Sequence, residues 1–101
     1  MKNITYPELQ AWIAEGKKFQ LIDVREADEH AAAHIGGVLI PLSKISRWQP
    51  EDTALPIVVY CKRGIRSQIA IQRLAPRFPE ANFYNLESGI LGILDFKSNK
   101  I

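Results

Sequence analysis

Cysteine occurs once in 101 residues, so no internal disulfide can form and stability must come from packing. Glycine and proline are sparse at six each, which excludes a collagen-like or low-complexity chain. No long apolar run exists. The longest, Ile57 to Cys61, falls far short of the ~20 residues a membrane-spanning helix requires. No apolar leader precedes the first helix-like segment, so no secretory signal is expected. These absences point to one soluble domain over residues 1–101, held in a reducing compartment such as the cytoplasm, with a free thiol to be explained.

Charge of one sign is also scarce overall, the net being +2, which is too mild to suggest nucleic acid. Its placement is less even. Residues 1–60 carry −2 and residues 61–80 carry +4, so the positive stretch begins at Cys61. Arg73 and Arg77 read as a solvated helix face, whereas Lys62, Arg63 and Arg66 crowd the only thiol.

Thr5-Tyr6-Pro7-Glu8 has the pattern of a capping box and predicts a helix through Glu15, with Leu9, Trp12 and Ile13 at helical spacing and Gly16 as the stop. Residues 19–24 read as a buried strand, 27–34 as a short helix and 38–40 as a brief strand. Pro41 and Ser43 open a helical piece through Trp48, and 50–53 is loop. Residues 55–60 form the clearest strand, β-branched and apolar on both faces, as a parallel sheet covered on both sides requires. A helix follows from about Ser67 to Ala75, with Ile69, Ala70, Ile71 and Leu74 inward. Residues 82–84 read as a strand and 88–95 as a last helix. Strands alternating with helices argue for an α/β fold with a mostly parallel sheet.

Cys61 stands where the most buried strand hands over to a helix, the place where open α/β sheets collect ligands. A loop entering a helix N-terminus turns several amide N–H groups toward one point and binds anions. Gly64 permits the tight bend. With Lys62, Arg63 and Arg66 adding positive charge, the Cys61 thiol is expected to ionise readily and to meet an anionic substrate. Such a thiolate can take a group from an anion covalently and pass it on. No general base is then needed.

Four segments resemble the rhodanese-like domains, sulfurtransferases of the thiosulfate:cyanide type. Leu21 to Glu26 is similar to the family's first strand and turn. Residues 33–42 (AHIGGVLIPL) resemble its GHIPGAINIPL segment, Val58 to Ser67 its active-site strand and loop, and Asn85 to Ile90 its NLEGGI. The resemblance implies a central, mostly parallel sheet of about five strands with helices on both faces. It also implies a persulfide on Cys61, drawn from a small anionic donor such as thiosulfate and given to cyanide, a thiol or a protein. In that scheme Lys62, Arg63, Gly64, Ile65, Arg66 and Ser67 form the substrate loop. Arg66 locks the loop or binds the anion, while Lys62 and Arg63 orient or select the donor. No cofactor, metal, membrane or nucleic-acid partner is expected, and the oligomeric state is left open.

Asp23 and Arg25 read as a structural ion pair beside a helix cap, supporting the site at most by orienting the Cys61 loop. His34 reads as a structural hydrogen-bonding residue, and no second His or Cys stands at metal spacing. Trp12 and Trp48 read as core or rim, with Trp48 and Arg47 as candidates for the pocket mouth. Four positions depart from the family pattern: Gly36 for proline, Ser88 for glycine, Ile93 for tryptophan and the bulky Arg63 in the loop. Cdc25-like phosphatases and arsenate reductases use a related loop, but with five residues between Cys and Arg; here there are four. A sulfur-relay or non-catalytic interaction domain on the same fold is the remaining alternative.

Overall fold

The alternation of strands and helices is realised as one parallel sheet. The computed structural model describes residues 1–98, with side chains through Leu94. Its elements are β1 (Lys2–Ile4), α1 (Tyr6–Ala14), β2 (Gln20–Asp23), α2 (Ala27–Ala32), β3 (Val38–Leu39), a 3-10 turn at Leu42–Arg47, β4 (Ile57–Tyr60), α3 (Ile65–Leu74), β5 (Phe83–Leu86) and α4 (Gly89–Ser98). The strand order is β1-β5-β4-β2-β3 and every pair is parallel.

β4 is the central strand, which explains its unbroken apolar sequence. Ile57 and Val59 face α3 and the 3-10 turn, packed with Ile22, Ile45, Ala70, Ile71, Leu74 and Phe83. Val58 and Tyr60 face the other way, against Leu9 of α1 and Ile93 of α4, with Ile4 and Leu86. Helices therefore cover both faces. All four β4 residues are fully buried, and each aliphatic one contributes about 2 kcal/mol by leaving water. Because parallel strands all point the same way, their carboxyl ends share one edge, and Cys61 lies there, directly after Tyr60.

The first helix forms as expected. Glu8 N–H donates to Thr5 Oγ1 at 3.2 Å and Thr5 N–H donates to Glu8 Oε1 at 3.0 Å. Gly16, at φ 72°, ends it. Of the three apolar residues at helical spacing, Ile13 is 60% exposed, and Leu9 and Trp12 supply the inward face. β1 has no counterpart in the sequence reading, which led residues 1–5 straight into the helix. Its three residues include one buried side chain, Ile4, too little for a periodic pattern, and it forms by adding to the free edge of β5. α3 starts two residues earlier than expected because Gly64, left-handed at φ 93°, caps it. Its buried stripe is Ser67, Ala70, Ile71 and Leu74, with Ile69 only half-buried. Among the described residues no helix is long and apolar enough to cross a membrane.

Candidate active site

The loop from Cys61 to Gly64 wraps around the Cys61 sulfur. Gly64 N–H donates to Sγ at 3.1 Å and Ser67 N–H at 3.4 Å, while Ser67 Oγ lies 3.4 Å from it. Burial pushes the thiol pKa up, but the Ser67 hydroxyl and the amides of Ser67, Gly64 and Arg63 outweigh it and leave the group below the ordinary thiol value. The residue is only 1% exposed, yet it lines a pocket of about 200 Å³ with Lys62, Arg63, Ile65 and Arg66. It is thus shielded on the core side and reached from the pocket.

Gly64 can take its left-handed turn because it lacks a Cβ. The loop is pinned from behind by α4: Ile90 N–H donates to the Cys61 carbonyl at 2.9 Å and Leu91 N–H to the Lys62 carbonyl at 3.0 Å. With its carbonyls engaged there, the loop is left to turn amide hydrogens toward sulfur.

The three loop cations behave differently. The side chains of Lys62 and Arg63 are exposed and have no hydrogen-bond or ion-pair partner among the described residues. Arg66 instead forms a two-pronged pair with Glu29 of α2, Nη1 to Oε1 at 2.7 Å and Nη2 to Oε2 at 2.9 Å. Of the two roles expected for Arg66, the geometry supports locking the loop. Only two loop charges, not three, remain uncompensated. The Arg66 hydrogen bonds are the main cause that brings the Glu29 carboxyl down to about 2. Glu29 was not foreseen. Its signal lay in the α2 first turn, where Glu29 Oε1 also accepts from Glu26 N–H at 3.1 Å.

Asp23 and Arg25 form the structural pair expected of them. Arg25 Nη2 lies 2.7 Å from Asp23 Oδ2 and donates to the Ala33 carbonyl at 2.6 Å, tying the end of β2 to the end of α2. Desolvation raises the Asp23 pKa, but bonds from Arg25 and His30 bring it below the ordinary carboxylate value. His30 Nδ1 is 2.8 Å from Asp23 Oδ2, and its ring stacks on His34. His34 Nδ1 accepts from Gly36 N–H at 2.9 Å, as a structural histidine would. Together these contacts hold α2, and with it Glu29, against the sheet edge.

Two other expectations are corrected. Trp48 and Arg47 do not line the mouth of the Cys61 pocket; they line a separate one of about 370 Å³ with Lys44, Pro41 and Leu39. The 3-10 turn carries them there. Arg77 is not simply solvated, since it donates to the Ile45 and Trp48 carbonyls at 3.2 and 3.0 Å. Arg73 is exposed as expected.

The sequence model of the Rhodanese-like domain matches residues 5–95. The chain belongs to the rhodanese-like domain family. A rhodanese-like domain protein from Staphylococcus aureus superposes on it with a TM-score of 0.81 at 28% identity, covering 91% of this chain and 90% of that one. Uncharacterized protein YqhL of Bacillus subtilis is 38% identical over 91 residues, 88% of this chain and 69% of that protein. The adenylyltransferase and sulfurtransferase MOCS3 of Anopheles gambiae is 36% identical over 81 residues, 70% of this chain but 18% of that protein. The chain thus spans about a fifth of the length of this sulfurtransferase relative.

Within this rhodanese-like domain, the departures from the family pattern have visible consequences. Gly36 lies at φ 95°, out of reach of a proline ring, so the turn differs in shape and not only in stiffness. Ser88 lies at φ 62°, where the glycine of the family pattern would be unstrained. Ile93 is 2% exposed and packs in the core. Arg63 stands between the Cys61 pocket and a second one lined by Ser88, Leu91 and Gly92.

Proposed function

We propose that this rhodanese-like domain is a sulfurtransferase that carries sulfane sulfur on Cys61. The observation behind this reading is the ring of donors around Sγ at the floor of an open pocket. Hydrogen bonds that favour an anion at rest favour the thiolate and, equally, a persulfide anion one sulfur further out. The thiolate attacks the outer sulfur of a donor such as thiosulfate. The donor S–S bond breaks, sulfite leaves with the bonding pair, and Cys61 keeps the sulfur as a persulfide. An acceptor nucleophile then takes the terminal sulfur and the thiolate returns. Cyanide serves in vitro; a thiol or a protein suits a reducing compartment such as the cytoplasm.

Lys62 and Arg63, unpaired at the rim, supply the attraction for a doubly charged donor. The pairing of Arg66 with Glu29 counts against the phosphatase or arsenate-reductase alternative, which needs a free guanidinium to grip a tetrahedral oxyanion. A relay that receives sulfur from a protein uses the same Cys61 chemistry, and only the donor differs.

Intact mass measured after incubation with thiosulfate tests this reading. The wild type is expected to gain one sulfur atom and lose it on adding cyanide, while Cys61→Ser gains none. A Cys61→Ser protein that still loads sulfur overturns it.

A further inference from the structure

Behind the sulfur runs a line of polar side chains that starts buried in the core and ends at the surface. Ser67 Oγ, fully buried on α3, donates to Asn85 Oδ1 on β5. Asn85, 2% exposed, donates from Nδ2 to Asn3 Oδ1 on β1 at 3.3 Å. Sheet register aligns the chain, since Asn85 pairs with Val59 on one side and Asn3 on the other. Asn3 stands exposed at the outer strand. The sequence signal was present in Asn85, an amide in the middle of an otherwise apolar strand.

A hydroxyl has one proton to give. With that proton on Asn85, the face of Ser67 Oγ turned toward Cys61 can only accept, which suits a protonated thiol donating S–H. A sulfur anion needs the opposite. Each asparagine amide presents an oxygen on one side and an NH2 on the other, so half a turn of both amides gives a second fully bonded arrangement. Asn3 Nδ2 then donates to Asn85 Oδ1, Asn85 Nδ2 to Ser67 Oγ, and Ser67 to Sγ. Both directions satisfy every buried group, and a charge at the sulfur end selects between them.

We propose that Asn3, Asn85 and Ser67 form a reversible hydrogen-bond relay, with Asn85 the positioning residue, whose direction turns with the charge on Cys61. When the thiol ionises, its proton goes to solvent and the Ser67 proton swings from Asn85 to sulfur. The relay deepens the sulfur-carrier reading above and rests on it, because the same inward direction holds the persulfide anion. The charged and titratable groups nearest the Cys61 loop are Lys62, Arg63 and Arg66 of the loop and α3, Glu29 of α2, which pairs with Arg66, and the Asp23–Arg25 pair at the end of β2 with His30 of α2. The side chains that β5 and β1 contribute to the relay, Asn85 and Asn3, are neutral.

Two measurements test the relay. In the wild type, the side-chain amide resonance of Asn85 is followed by NMR against pH beside the rate of Cys61 alkylation by iodoacetamide. The two are expected to share one midpoint. An Asn85 side-chain amide that stays fixed while the Gly64 backbone amide responds overturns the relay. In the variants, an ionised Asn85→Asp carboxylate can only accept, so it holds the Ser67 proton away from sulfur. It is expected to raise the alkylation midpoint by at least about one pH unit, a tenfold change in ionisation. In a Ser67→Ala background the rise should fall below half of that. An equal rise in both backgrounds would mean charge repulsion alone and overturns the relay. Thiosulfate loading of the wild type, read by mass, keeps the two ideas separate. A protein that takes up no sulfur sinks the carrier reading, and the amide titration still decides the relay.

Discussion

Gly89 is the position at which backbone geometry and thiol chemistry are most tightly joined. It opens α4 against the Cys61 loop at φ 55°. A Cβ there would lie 2.4 Å from the Cys61 carbonyl oxygen and 2.5 Å from the carbonyl carbon and oxygen of Lys62, all backbone atoms with no rotamer to yield. Gly89→Ala places a side chain in the left-handed region, which costs about 1–2 kcal/mol. To relieve the overlap the loop must also leave α4, stretching the bonds from Ile90 and Leu91 to the Cys61 and Lys62 carbonyls; at about 1 kcal/mol each, these bring the loss to about 3–4 kcal/mol. A domain with about 5–15 kcal/mol of stability can survive this. The displaced loop no longer aims the Gly64 and Ser67 amides at sulfur, so the thiol should ionise about one pH unit higher. Urea unfolding and the pH dependence of iodoacetamide alkylation measure the two effects. A loss below about 0.5 kcal/mol, the range typical of harmless surface changes, together with an unmoved alkylation midpoint would refute the reasoning. Gly92→Ala is the control on the same helix. Its Cβ would meet the Ser88 Cβ at 2.5 Å rather than the loop, and it should destabilise without moving the thiol.

Ser88→Gly should stabilise by about 1 kcal/mol, because it removes a side chain from a left-handed residue. The urea midpoint should rise with an unchanged slope, and no rise would mean the Ser88 backbone is not strained. For Glu29→Gln the expectation depends on pH. The Glu29 carboxyl is lowered from 4.5 to about 2, so its pair with Arg66 stabilises the fold fully above pH 4.5 and is lost as pH falls through about 2. Wild type and variant should therefore differ by about 1 kcal/mol at neutral pH and converge at the acid end. A gap that persists at pH 2 would show that the pair is not its source.

Much of the molecule was legible in the sequence because it rests on local rules. The Thr5 cap, the apolar β4 strand and the cysteine at its carboxyl end each follow from a few adjacent residues. Gly64 likewise marks its own turn. What local rules miss are contacts between distant residues. Arg66 was read as either locking the loop or binding the anion, and the choice between them depends on Glu29, which lies 37 residues away. Trp48 was a candidate for the pocket mouth until the 3-10 turn carried it to another cavity.

By itself the chain determined an alternating α/β pattern and where its lone thiol would emerge, since hydrophobic period, capping and turn chemistry are written in neighbouring residues. Tertiary structure decided which groups surround that thiol. β1 exists only because β5 offers an unpaired edge, and it brings Asn3 within reach of Asn85 across 82 residues. α2 holds the Arg66 guanidinium on Glu29 at the pocket wall, and α4 presses the loop into a ring of amides. Such pairings are fixed by the mutual exclusion of water from several elements at once, and no short stretch of sequence contains them.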